Sequence, residues 1–305
     1  MVGLVLPARL NEFVVIFVSI VLQSLPFVLL GVFASAAVQR HLSEGVVTRW
    51  LPRRVLPLVA AASVFGLVAP VCDCGVIPLA RRLTAKGLPL YAATTFIVAA
   101  PVVNPVVLVA TAFAFHGNWT IVALRMAMTL SVAVTIGVLV SALFPGTRSL
   151  VPAADPIRGG SGPLAEARGG PVRGLVADAS AEYFDIVFFV ILGALFTAAA
   201  QTFVPRGDLT ALGRTPVGSV LALMPVASVL SICSEADAFV ARAFAGTFSV
   251  GAVLAFMTIG QIVDLRNGFL LARTLPARLV ALIVVVSYGL VLAEGALVNA
   301  LLPWP

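Results

Sequence analysis

The sequence predicts an all-α polytopic membrane protein made of two inverted repeats, with six full spans and two re-entrant hairpins that carry cysteines. Three observations predict it. Apolar residues make up 61% of the 305 residues and charged residues only 10%, and mean hydropathy is +1.11. Six apolar runs reach the roughly 20 residues that a bilayer crossing needs. Stretches of the first half recur in the second. A soluble surface takes about a quarter of its residues from Asp, Glu, Lys and Arg. A soluble enzyme, a nucleic-acid binder and a disordered scaffold are therefore excluded. The net charge of +6 comes from basic residues dispersed among apolar runs, where they orient a chain in a membrane.

Taken in order, residues 13–38 form the first span. The run is too long for the core of a secretory signal and no small-residue cleavage site follows it. Residues 55–71 are apolar but shorter, and lead into Cys72-Asp73-Cys74-Gly75. Residues 88–115 and 119–144 are full-length runs. Residues 145–181 are polar and rich in Gly and Pro, as in RGGSGP at 158–163, and read as a flexible cytoplasmic linker. Full-length runs return at 183–204, 251–271 and 279–302, and a second short run at 216–232 leads into Cys233-Ser234-Glu235-Ala236-Asp237. The organisation is a membrane repeat over 1–144, the linker, and a second membrane repeat over 182–305.

The repeat is visible residue by residue. FVLLGVFASAAVQ at 27–39 and FVILGALFTAAAQ at 189–201 share seven of thirteen positions. In the same register Cys72 falls opposite Cys233, Arg81 opposite Arg242, Phe96 opposite Phe256 and Asn104 opposite Asp264. Charge counting then sets the topology. If both short runs cross there are eight spans, and the basic residues split ten to nine, which gives no orientation. If each short run turns back at its cysteine motif there are six spans. Fourteen basic residues then lie inside and five outside, with Arg125 and Arg266 counted at span ends. The second arrangement obeys the positive-inside rule and makes the repeats inverted.

Irregular backbone within the hydrocarbon is tolerated only where protein buries it or it lines a cavity. The sequence demands it at four places: residues 70–78, residues 101–105 with prolines at both ends, residues 233–237 and residues 260–264. Half-helix ends at such breaks aim unpaired backbone groups at a common point. Asp73, Glu235, Asp237 and Asp264 are ionisable groups at that depth, and their cost makes coupling to protons or ions the default reading. Asn104 lines the path. Cys72, Cys74 and Cys233 are soft ligands suited to a thiophilic metal or metalloid. Taken singly they read as small apolar fillers, but every cysteine in the chain lies in the paired motifs. Arg81 and Arg242 read as snorkelling side chains, Gln23 and Gln39 as interhelical hydrogen-bonders, and His41 and His116 as loop residues. No phosphate-binding GxxxxGK[ST] pattern is present.

The segment CDCGVIPLARRLTAKGLPLYAATTFIVAAPVVNPVVLVAT at 72–111 and the segment CSEADAFVARAFAGTFSVGAVLAFMTIGQIVDLRN at 233–267 resemble the paired signatures of the predicted-permease family that includes ArsP-type organoarsenical efflux permeases. The resemblance implies a multi-pass permease of the bacterial inner membrane that needs no ATPase. It also implies trivalent arsenic bound by membrane cysteines, a role that carries onto Cys72 and Cys74. One departure is Gln261, where the family pattern has proline. The reading is thus a secondary permease for a small thiophilic solute, a trivalent organoarsenical or soft metal species, with proton-coupled efflux. It implies no cofactor and is compatible with a homo-oligomer. Two rivals stand beside it. One is a permease or channel for a harder cation or small sulfur compound, with the carboxylates as ligands. The other is a membrane redox enzyme using Cys72 and Cys74, disfavoured because a Cys-x-Cys disulfide is strained.

Overall fold

Runs of Leu, Val, Ile and Ala with no charged face become helices here because hydrocarbon offers no partner to backbone N–H and C=O groups. The computed structural model describes residues 8–41, 54–67, 73–144, 190–199 and 215–302, with a few further positions between 180 and 202. Among the described residues there is no strand. The first half contains α1 (Ala8–His41), α2 (Val55–Val64, prolonged by a 3-10 turn at Phe65–Leu67), α3 (Asp73–Ala85), α4 (Leu90–Ala99), α5 (Pro105–Ala114) and α6 (Trp119–Leu143). In the second half are α7 (Val190–Ala199), α8 (Pro216–Leu230), α9 (Asp237–Phe244), α10 (Val250–Ile262), α11 (Leu265–Thr274) and α12 (Ala277–Leu301). The expected linker falls outside the described residues apart from Ser180.

Among the described residues, three helical stretches are long and apolar enough to cross a bilayer: α6, α12, and the stretch Val250–Ala272 that joins α10 to α11. Residues 13–38 lie within α1. The stretch 88–115 is not one helix but two of ten residues, α4 and α5. The 3-10 turn that prolongs α2 packs closely on the end of α4: a Cβ on Gly66 would stand 2.7 Å from both Ala100 Cα and the Val103 carbonyl. His41, expected in a loop, is the last residue of α1.

The order of elements and their packing partners recur between the halves. α2, α4 and α6 pack on one another, as do α8, α10 and α12. The halves meet where α6 lies against α10 and α12. They also exchange contacts reciprocally: α3 packs on α11 of the second half, and α9 on α5 of the first. Glycines permit a close approach between α10 and α12. A Cβ on Gly251 would stand 2.0 Å from the Gly295 carbonyl, and the Gly251 N–H donates to Asn299 Oδ1 at 2.7 Å.

Two expected breaks are sharper than the rest. Asn104 is extended (φ −122°, ψ 130°) and its side chain accepts from Val106 N at 2.9 Å, with Pro105 opening α5. Proline there loses only an N–H that a first turn leaves unpaired anyway. Asp264 plays the same part at α11, accepting from Asn267 N at 2.6 Å. Residues 232–236 form the expected irregular turn before α9, and two details of the remaining breaks need correction. Residues 260–262 remain helical and the chain breaks at Val263 and Asp264, because Gln261 keeps the N–H that a proline would lack. Pro78 does not break the chain but lies inside α3, which begins at Asp73. Its missing donor costs a single bond near the start of that helix.

Candidate functional site

The polar groups at membrane depth converge where the second half's two breaks adjoin. α8 ends at Ser231 in the left-handed conformation (φ 45°, ψ 48°). Its Oγ accepts from Leu265 N at 3.1 Å, tying the end of α8 to the start of α11. The turn over 232–236 then leads into α9, whose first residue is Asp237. A carboxylate at a helix N-terminus is favoured by the unpaired N–H groups of the first turn.

Asp237 is 2% exposed and its Oδ2 receives two donors. Arg125 Nη2 reaches it from α6 at 2.6 Å, and Gln261 Nε2 from α10 at 2.8 Å. Arg125 is fully buried; its Nη1 donates to Thr111 Oγ1 on α5 at 2.7 Å and lies 3.8 Å from Met257 Sδ. One ion pair thus joins α5 and α6 of the first half to α9 and α10 of the second. Asp237 Oδ1, Gln261 Oε1 and Arg125 Nε are buried and have no partner among the described residues. Gln261 also lines a small crevice with Val76, Ile97, Pro101, Asn267 and Ile283. Its free interior is about 10 Å³, about the room of one water.

These findings overturn two entries in the charge count. Arg125 is not a span-end charge but the fully buried partner of Asp237. Arg266, also counted at a span end, is 5% exposed on α11, 3.8 Å from Asp264 Oδ2 and 3.4 Å from Ser24 Oγ on α1. Charges that deep do not report which side of the membrane a loop occupies.

The other expected site residues lie as follows. Asn104 is buried, with its Oδ1 engaged in capping α5. Cys233 and Glu235 are half-buried in the turn between α8 and α9, and Cys233 Sγ donates to Glu235 Oε2 at 2.5 Å. Cys72, and the side chains of Asp73 and Cys74, lie outside the described residues. Among the described residues no three His, Cys, Asp or Glu side chains gather as a metal ion requires. Arg81 and Arg242 are exposed, and the Arg242 guanidinium lies 5.8 Å above the Phe115 ring.

Two groups were missed by the sequence reading of the site. Gln261 entered only as a departure from the family pattern, yet it supplies a second donor to Asp237. Glu294 on α12 went unremarked; it contacts Ser131 on α6. A lone ionisable residue in an apolar span was signal enough to find it.

Apolar helices of spanning length, broken helices and a buried ion pair between two helical bundles define an integral membrane protein. Over residues 9–300 the chain matches the family model ArsP_1, described as a predicted permease. It belongs to that permease family. It is 37% identical over 286 residues to the UPF0718 protein YcgR of Bacillus subtilis, covering 93% of this chain and 96% of that protein. It is 34% identical over 262 residues to a Streptococcus mutans protein named "Putative two-component membrane permease complex subunit", covering 86% of each. No solved structure matches the chain.

Proposed function

We propose that this chain is a secondary permease that exports a small thiophilic solute, a trivalent organoarsenical or soft metal species, across the bacterial inner membrane in exchange for protons. The observation that carries the reading is the Cys233–Glu235 pair in the turn where α8 gives way to α9. Sulfur binds a soft centre as thiolate, so binding releases the thiol proton. Glu235 is placed to take that proton from Cys233 Sγ and pass it on. Cys72 and Cys74 of the first half complete the sulfur set, and Asn104 lines the route. Asp73, Asp237 and Asp264 serve coupling and hold the helix ends.

The reciprocal packing of α3 on α11 and α9 on α5 supports two repeats related by a two-fold axis, inverted across the membrane. The shortness of α2 supports a re-entrant segment before Cys72. Rocking of the halves would open the central path alternately to each side, and needs no ATPase. The two-component complex named for the Streptococcus mutans relative supports a second subunit as a partner.

The test is uptake of a trivalent organoarsenical, methylarsenite, by inside-out membrane vesicles carrying the full chain under a proton gradient. Wild-type vesicles accumulate it, and Cys72→Ser, Cys74→Ser and Cys233→Ser each abolish accumulation. Vesicles that exclude methylarsenite, or variants that all accumulate it normally, overturn the reading. The unpartnered Asp237 Oδ1 favours a second reading, a harder cation held by carboxylates. Under it, the cysteine variants transport their cation and Asp237→Asn does not.

A further inference from the structure

The crevice that Gln261 lines is bordered by the C-terminal ends of two broken helices, one from each half. Ile97, Val98 and Pro101 come from the end of α4, and Gln261 and Ile262 from the end of α10. In the register that sets Asn104 opposite Asp264, Pro101 falls opposite Gln261. A helix C-terminus carries roughly half a negative charge, from carbonyls that meet no N–H of a following turn. Two such ends at one crevice amount to roughly one negative charge.

The carbonyls at both ends are freed by identifiable chemistry. In an unbroken helix the Ile97 carbonyl would accept from residue 101, but that residue is proline and has no N–H. The Val98 carbonyl would accept from Val102, whose N–H goes instead to the Ala99 carbonyl at 3.1 Å. At α10 the Gln261 carbonyl would accept from Leu265, whose N–H is taken by Ser231 Oγ at 3.1 Å. Two side chains of the lining add further oxygens. Gln261 Oε1 and Asn267 Oδ1 are buried with no partner among the described residues, on residues only 4% and 6% exposed. The Gln261 amide cannot be turned round, since its Nε2 must face Asp237 Oδ2 at 2.8 Å, so its free atom is an acceptor.

Amide and carbonyl oxygens are ligands for hard cations, and the C-terminal ends of half-helices are suited to hold them. The rest of the lining is apolar, and no charged side chain belongs to it. The two helix ends therefore balance a single positive charge and would leave a divalent ion uncompensated. The free interior of about 10 Å³ has room for one such ion stripped of its water.

We propose that this crevice binds one monovalent alkali cation of the size of Na+, held by the carbonyls that end α4 and α10 and by the side-chain oxygens of Gln261 and Asn267. The ion ties α4 of the first half to α10 and α11 of the second. It differs from the carboxylate-held cation of the second reading above, because no carboxylate lines the crevice. It also stands whether or not the transported solute is thiophilic.

Binding of radioactive Na+ to the purified full chain in lipid nanodiscs, with no other solute present, tests the site. The wild type binds Na+ saturably, one ion per chain, and choline at the same ionic strength does not displace it. Asn267→Leu, which removes an oxygen of the crevice, loses that binding. Pro101→Ala, which returns an N–H to the Ile97 carbonyl, weakens it, and serves if the first variant does not fold. A wild type that binds no Na+ overturns the site, its oxygens then being met by water. Binding unchanged in both variants overturns it as well, by placing the ion elsewhere.

Discussion

Cutting the buried ion pair at one end gives the largest stability effect expected in this molecule. Arg125→Met keeps the bulk of the side chain on α6 and removes its charge. At 2.6 Å and an effective dielectric constant of about 20, the pair attracts by about 6 kcal/mol. Most of that offsets the cost of taking two charges out of water, so the intact pair contributes little net stability. The single variant is different. It leaves Asp237, 2% exposed, with Gln261 as its side-chain donor among the described residues. Loss of one partner of a buried pair costs about 3–5 kcal/mol, two to three and a half powers of ten in the folding equilibrium at about 1.4 kcal/mol per tenfold. The double variant Arg125→Met with Asp237→Leu leaves no charge to strand and stays within about 1 kcal/mol of the parent, as apolar replacements of buried pairs commonly do. Unfolding in mixed detergent micelles, followed by helical circular dichroism, measures all three. Losses that simply add in the double variant would show that Arg125 and Asp237 are not coupled and refute the reasoning. The double variant also divides architecture from transport: it folds, and under the proposed function it moves no solute.

The two helix caps should separate by cost in thermal unfolding. Asn104→Ala removes one capping bond, worth about 1 kcal/mol, whereas Asp264→Ala removes its cap and also the carboxylate beside buried Arg266, so it lowers the melting temperature further. Gly251→Val forces α10 away from α12 at the Gly295 carbonyl, with overpacking worth about 1–3 kcal/mol, and the same assay reads the loss. Gln261→Leu takes one donor from buried Asp237 Oδ2, costing about 1–3 kcal/mol, and loss of that stability only in the presence of Asp237 identifies the bond.

How legible each feature was follows from how local its cause is. The α4–α5 break could be read directly, because two prolines four apart and an Asn before the second are local chemistry. The break around Asp264 was legible as the stretch 260–264, although its carboxylate reads in the sequence as a coupling group and not as the helix cap it forms. The exact end of α10 was not, since it depends on Gln261 keeping its N–H and meeting a carboxylate twenty-four positions away. Arg125 was misread altogether. An arginine in an apolar run looks like the end of a span, and nothing nearby in sequence marks a partner 112 residues further on. Arg266 was misread on the same ground. Glu294 could have been found, because a carboxyl in a span calls for explanation whatever its neighbours. Attention to motifs with repeat partners passed over it, since it has no counterpart in the first half.

The buried ion pair and the reciprocal contacts lie at the seam between the two halves. The cysteine turn lies at the edge of that seam, one helix-start away from Asp237. Under the proposed function this placement would join solute binding to the groups that hold the halves together. A soft centre drawn to Cys233 would release its proton beside Glu235 and act directly on the turn that positions Asp237.

Arsenic K-edge X-ray absorption of the purified full chain, loaded with methylarsenite in lipid nanodiscs, asks most directly whether sulfur binds the solute. The account predicts an arsenic centre surrounded by sulfur neighbours, with fewer of them in each cysteine-to-serine variant. Arsenic found with oxygen neighbours alone, or failing to bind, would contradict it.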